Sequence, residues 1–266
     1  MKKRSSILQI RGEIGRGWYL GGVAGTFVIV LALWSAASWG GWVERTFLPT
    51  PLQVLEQFGN QIVSPEFWNH VGISISRVSI GFLLACLVGI PIGIFAGTFR
   101  FAEAVVLPQS EFIRYMPATA FVPLIMVWAG IGEMAKIWVI FLGCIFQIIL
   151  MVADNVRSVS GELLQVSYTL GATRRQAIQQ VLLRAVMPDL MNTMRMMIGW
   201  AWTYLVVAEL VAASSGLGFS ILKAQRFLNT DVIFVGIITI GLLGLLTDRA
   251  FAICHKRFFP WLEGGR

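Results

Sequence analysis

The stretch VGISISRVSIGFLLACLVGIPIGIFAGTF, residues 71–99, decides the fold class. Arg77 is its single charge. At about 1.5 Å rise per residue, a helix of this length exceeds the roughly 30 Å of bilayer hydrocarbon. Gly81, Ala85, Gly89, Gly93 and Gly97 recur every fourth residue and so form one stripe on a helix. Lipid gives helices no hydrophobic drive to associate, so close backbone approach over small residues matters. This helix is expected deep in a bundle, against another helix of this chain or of a second copy. The stripe fits a static contact and a moving one equally.

Five further apolar windows flank it, at residues 19–40, 105–129, 136–153, 190–213 and 232–254. The whole chain of 266 residues agrees, with 56 % hydrophobic residues, 13 % charged and a mean hydropathy of +0.74. A soluble domain carries roughly 45–50 % apolar and 25 % charged residues. Disorder, collagen and disulfide scaffolds are excluded by the same composition. The expected fold is all-α, a polytopic membrane bundle of about six helices. The first window follows a basic start, but its apolar part is longer than the roughly 7–15 residues of a signal h-region. It is read as an uncleaved span.

With a cytoplasmic N-terminus, fourteen of the 21 basic residues fall in inside connections and four (Arg45, Lys136, Lys223, Arg226) outside. Arg77, Arg114 and Arg195 lie within spans. Lys and Arg are retained on the cytoplasmic side during insertion, so both termini are expected inside. This divides the chain into a cytoplasmic segment 1–18, a membrane domain 19–254 and a cytoplasmic tail 255–266. The net charge of +7 is then mostly a topology signal, and no basic folded face invites nucleic acid.

Polar residues inside spans are candidate pathway residues. Arg114, Pro117, Arg77 and Glu209 form that set. Glu111 and Arg114 stand three apart and are expected to share a face and pair. Pro91 is expected to break the second span locally, and Pro108, Pro117 and Pro123 the third. Asp154 and Asp248 are read as solvated. Cys86, Cys144 and Cys254 have no metal-ligand spacing, and His70 and His255 read as packing and surface residues.

The longest cytoplasmic connection, residues 155–188, carries its own helical signals. Ser160 is an N-cap with Glu162 in the first turn. Leu163, Leu164, Val166 and Leu170 give a short apolar face, and Gly171 is placed to end the helix. Thr173 and Gln176 form a T-x-x-Q capping box for a second helix. Its apolar face is Ile178, Val181, Leu182 and Ala185. Such a hairpin suits docking into a groove of a soluble partner. Packing on its own membrane domain explains it as well.

The run Gln165-Val166-Ser167-Tyr168-Thr169-Leu170-Gly171-Ala172-Thr173-Arg174-Arg175-Gln176-Ala177, continuing to Val181 and Leu183, resembles the E-A-A-x-x-x-G loop of ABC-importer permease subunits. Phe47-Leu48-Pro49-Thr50-Pro51 is similar to the segment after span one in that family. Arg114-Tyr115-Met116-Pro117, Pro123-Leu124 and Gly130-Ile131-Gly132-Glu133 resemble the third span of its nitrate/sulfonate/taurine group. Glu209-Leu210 and Ser215-Gly216-Leu217-Gly218 resemble the segment after span five. The likeness covers about residues 47–257. Two departures stand out: Gln165-Val166-Ser167 where Glu-Ala-Ala is usual, and Arg184 where a Pro commonly follows.

The resemblance implies a type I importer fold with coupling helices between spans four and five, in a bacterial inner membrane. It implies a second permease copy, two cytoplasmic ABC ATPases, and a periplasmic or lipid-anchored binding protein. Gln165, Ser167, Leu170, Gly171, Ala172 and Thr173, with Arg174, Arg175, Ile178 and Val181, would carry the coupling to the ATPase. ATP and Mg would sit in that partner, since this chain has no G-x-x-x-x-G-K-[ST] loop and binds no cofactor on this reading. The implied substrate is a small oxyanion-like solute such as nitrate, bicarbonate, cyanate, a sulfonate or taurine. A rival reading, a secondary transporter or channel, suits the broken third span but predicts inverted repeats that are not evident. An intramembrane enzyme would need a polar catalytic pair at depth, and none is evident.

Overall fold

The computed structural model describes residues 15–44 and 46–262. Most of the expected N-terminal segment, Arg45 and the last four residues of the tail lie outside that set. The described residues fold entirely into helices and short connections. In chain order the helices are α1 (Arg16–Trp39), α2 (Pro51–Val63), α3 (Pro65–Thr98), α4 (Arg100–Arg114), α5 (Ala118–Ala129) and α6 (Glu133–Ser158). Then come α7 (Gly161–Thr169), α8 (Arg174–Gln176), a π-helical turn (Ala177–Leu182), α9 (Leu183–Ala212), α10 (Leu217–Arg226) and α11 (Thr230–Phe258). Among the described residues, five helical segments are long and apolar enough to cross a membrane. The bent pair α4–α5 makes the count six when taken as one span.

The glycine stripe settles onto α6 of the same chain. A Cβ on Gly81 would come within 2.8 Å of Ile140 Cβ, on Gly89 within 2.9 Å of Ile148 Cγ2, and on Gly93 or Gly97 within 2.7 Å of Val152 or Val156 Cβ. The partner always lies 59 positions later. The two helices therefore run parallel in register, each glycine receiving one β-branched side chain or its equivalent. Around this seam α9 completes the core, with Phe82, Ile140, Ile148, Met197 and Leu205 buried together. α1 is peripheral. Trp34 stacks on Phe234 at 5.0 Å and donates from Nε1 to the Pro49 carbonyl, while most of the apolar side chains between Trp18 and Leu33 are exposed.

Three expected breaks do not occur. Pro91, Pro108 and Pro123 lie inside continuous helices. Each is on an exposed face, away from the packing seam, so the ring displaces no neighbour. Only Pro117 ends a helix. The residue before a proline is disfavoured in the α region, and Tyr115–Pro117 unwinds so that α4 and α5 meet at 100°. The second helix of the cytoplasmic hairpin also differs from expectation. It is the start of the fifth span, running through α8 and the π turn into α9.

Candidate functional site

The hairpin between α6 and α9 is built as its sequence signals require. Ser160 Oγ accepts the Glu162 amide at 3.3 Å. Gly171 takes φ +84°, a conformation that side-chain-bearing residues resist. Its N–H donates to the Tyr168 carbonyl at 2.9 Å, and the Ala172 N–H reaches the Ser167 carbonyl at 3.0 Å. This pair of bonds is a Schellman stop. Thr173 then caps α8 reciprocally with Gln176, whose Oε1 accepts the Thr173 N–H at 2.8 Å.

Leu163, Val166 and Leu170 are exposed, Leu170 to 82 %, whereas Leu164 turns inward to a small core with Val156, Leu182 and Val186. Ser167 is buried, and Gln165, Arg174 and Arg175 are exposed. Arg174 lies over the Phe99 ring at 5.0 Å. The expected face Ile178, Val181, Leu182, Ala185 is corrected: Ala177, Leu182 and Val186 are buried, and the others are half-buried. A π turn spaces inward positions five apart, which moves the face by one residue.

At the other end of the bundle lies a charged knot. Arg77 (2 % exposed) donates from Nε and Nη2 to the Glu133 carboxylate at 2.6 and 2.7 Å. Nη1 donates to Glu209 Oε1 and to the Ser215 carbonyl, both at 2.7 Å, and Nη2 reaches Ser215 Oγ at 3.1 Å. All five guanidinium donors are thus used. Glu209, fully buried, also accepts from Ser74 Oγ at 2.8 Å and from the Gly218 N–H at 2.7 Å. Lys136 donates to Glu133 at 2.8 Å, so two cations face two carboxylates. Gly216 lies so close to the Glu209 carboxylate that any side chain there would collide. Its N–H donates to His70 Nδ1 at 3.0 Å.

The structure therefore joins Arg77 and Glu209 to each other and to Glu133, Lys136 and Ser215. It places Arg114 elsewhere, with Pro117, at the α4–α5 break. The Arg114 guanidinium meets Tyr115 instead of Glu111, by a hydrogen bond of 3.2 Å to the hydroxyl and at 4.9 Å from the ring centre. It lines a cavity of about 310 Å³ with residues of α5, α6 and α9. Asp248, expected to be solvated, forms a two-pronged pair with Arg195 at 2.6 and 2.8 Å. Glu133, the second carboxylate partner of Arg77, lies 56 positions away and leaves no spacing signal in the sequence, and Lys136 joins the knot only through Glu133. The Thr50–Gln53 capping box that starts α2 is a local signal of the same kind as Thr173–Gln176.

The profile of the binding-protein-dependent transport system inner membrane component family matches residues 89–260. The chain belongs to this family. It is a permease subunit of an ABC importer and a multi-pass membrane protein. It is 35 % identical, over 88 % of its length and 84 % of the other, to a Bacillus subtilis permease named for aliphatic sulfonate transport. The taurine transport system permease of Escherichia coli K12 is 33 % identical over 89 % of this chain and 88 % of its own. The nitrate import permease of Synechocystis is 30 % identical over 87 % and 86 %. The family fold is also that of the inward-facing MetNI methionine ABC transporter. That match has TM-score 0.63 at 20 % identity and covers 73 % of this chain and 98 % of the solved one. Membership answers the secondary-transporter reading, since this family works in ABC systems.

Proposed function

We propose that the permease, paired with a second copy, forms the membrane passage of an importer for a small sulfonate, taurine or similar oxyanion. Two cytoplasmic ATPases bind ATP and Mg and dock on the hairpin at 155–188, and a binding protein delivers the solute from outside. This chain hydrolyses nothing itself. The observation that carries the reading is the likeness, over more than four-fifths of the chain, to permeases named for sulfonates, taurine and nitrate.

On this reading Gly171 and its two capped helices are the mechanical coupling. The exposed Leu163, Val166 and Leu170 supply the apolar contact, and Arg174 and Arg175 the rim. Both termini lie in the cytoplasm. Both span ends that carry α2 and α10 face outward, so the Arg77–Glu209 knot ties the outer ends of three helices and the loop after α9.

Reconstitution tests it. The permease, its ATPase and its binding protein in proteoliposomes should take up labelled taurine, an alkanesulfonate or nitrate only with ATP inside the ATPase compartment. Uptake that persists without ATPase, or purification of the permease without ATPase in mild detergent, would refute the proposal.

A further inference from the structure

Arg114 differs from the other cations buried or paired on the spanning helices. Arg77 is saturated by two carboxylates and Ser215, Lys136 is paired with Glu133, and Arg195 is held two-pronged by Asp248. Among the described residues, no carboxylate stands within ion-pair distance of Arg114. Its guanidinium hydrogen-bonds to the Tyr115 hydroxyl and lies against that ring. An uncompensated guanidinium facing hydrocarbon is costly, and unwound backbone such as Tyr115–Pro117 is tolerated in a membrane only where it lines a cavity or protein. Both facts place this face toward a passage or a partner rather than lipid.

The cavity beside it has the depth and lining of a binding chamber. Gln147 lies 14 residues from the start of the 26-residue α6, close to the middle of that span. Across from it, Trp200 and Tyr204 of α9 present stacked rings 6.4 Å apart, and Phe146 adds a further aromatic wall. Its side chains offer polar groups at the Arg114 guanidinium, the Gln147 amide, the Tyr204 hydroxyl and the Trp200 indole N–H. Gly143 sets the width. A Cβ there would come within 2.6 Å of the Tyr204 ring, so the missing side chain is what lets the ring lie against α6. A volume of about 310 Å³ suits a small organic anion with some water.

We propose that this chamber is the site within the membrane that holds the transported anion in passage. Arg114 pairs with the oxyanion head, Gln147 and Tyr204 hydrogen-bond to it, and the Trp200–Tyr204 wall takes the short carbon body of a sulfonate. A single unpaired cation attracts an anion without trapping it, as a transit site requires. The proposal rests on the import reading above, and it separates Arg114 from Arg77 as the residue that meets substrate.

The test uses the complete complex in proteoliposomes, with taurine and nitrate as probes. Two quantities are read: ATPase stimulation by loaded binding protein, and uptake. Arg114→Gln should keep stimulation within twofold of wild type while uptake falls at least tenfold, with Arg114→Lys between them. Gln147→Leu, which keeps every charge, should raise the uptake KM severalfold, and it decides the matter should Arg114→Gln fail to assemble. Wild-type rate and KM in Arg114→Gln or in Gln147→Leu would overturn the site and leave the import reading standing. Loss of stimulation together with uptake in both variants would make the residues structural and overturn it too. A wild-type complex that moves neither probe despite stimulated ATPase activity would remove the oxyanion reading and this site with it.

Discussion

Replacing Arg77 by Met should be among the most damaging single changes in the chain. The guanidinium is 2 % exposed and makes five hydrogen bonds, four of them at 2.6–2.7 Å. Methionine fills the stem but leaves Glu133 and Glu209 facing Lys136 alone. Charge-assisted bonds contribute about 1.5–3 kcal/mol each, but they are not additive here because one group makes them all. Breaking a buried pair from one side costs about 3–5 kcal/mol, which is the expected loss for Arg77→Met. Glu209→Leu leaves Arg77 its two-pronged bond to Glu133 and should cost less, about 2–3 kcal/mol. The double variant restores charge balance between Lys136 and Glu133. It should therefore cost less than the sum, with a coupling of about 2–3 kcal/mol. Unfolding free energy in mixed micelles titrated with SDS, followed by circular dichroism, gives all three values. An Arg77→Met loss below about 1 kcal/mol, or a coupling near zero, would refute the view that this knot braces the helix ends.

Three other perturbations have defined outcomes. Gly93→Val would drive its Cβ to 2.7 Å from Val152 Cβ and 2.8 Å from the Ile149 carbonyl, and should cost more than about 2 kcal/mol; Gly72→Ala, in open space on the same helix, should be neutral or stabilise by up to about 1 kcal/mol. Gly171→Val forces a β-branched residue into positive φ and should abolish ATP-driven uptake while membrane insertion, read by protease protection, survives; Gly171→Asn should retain uptake. Deleting the exposed Gln179 shortens the spacing from Ala177 to Leu182 from five to four, the α-helical interval, so the variant should keep its helix content and assemble in the membrane; failure to insert would contradict the geometry of the π turn.

Features encoded within one helical turn were legible, and features set by distant pairing were not. Gly171 and the Thr173–Gln176 box are local, and their bonds formed as the residue types demand. The stripe from Gly81 to Gly97 announced a close helix contact, but its partner α6 could not be named, because any helix bearing β-branched residues at fourfold spacing would serve. Prolines misled for a related reason. A missing N–H breaks a helix only where packing does not hold the flanking turns, and the seam with α6 holds α3 through Pro91. The fate of Arg77 and Arg114 shows the same limit. The two arginines look alike as isolated charges in apolar windows, and only the placement of Glu133 and Glu209 distinguishes the neutralised one from the unpaired one.

The helix capped by Thr173 connects the hairpin, the cavity and the charged knot. It follows the turn at Gly171, runs through the π turn into α9, and carries Trp200 and Tyr204 of the cavity wall and then Glu209 of the charged knot. From Thr173 to Glu209 this is roughly 50 Å of nearly continuous helix. Its two ends are built oppositely. Glu209 is fixed by buried charge to α3 and, through Arg77, to α6, while the loop end exposes Leu163, Val166 and Leu170. A stiff rod pinned at one end and pulled at the other turns about the pin, and the rings of Trp200 and Tyr204 lie between. The π turn and Pro188 are the places where such a pull can be absorbed before it reaches the cavity. On the import reading proposed above, the Tyr204 ring that packs at Gly143 belongs to the same helix that would receive the ATPase, so a displacement at the hairpin would reach the chamber along α9.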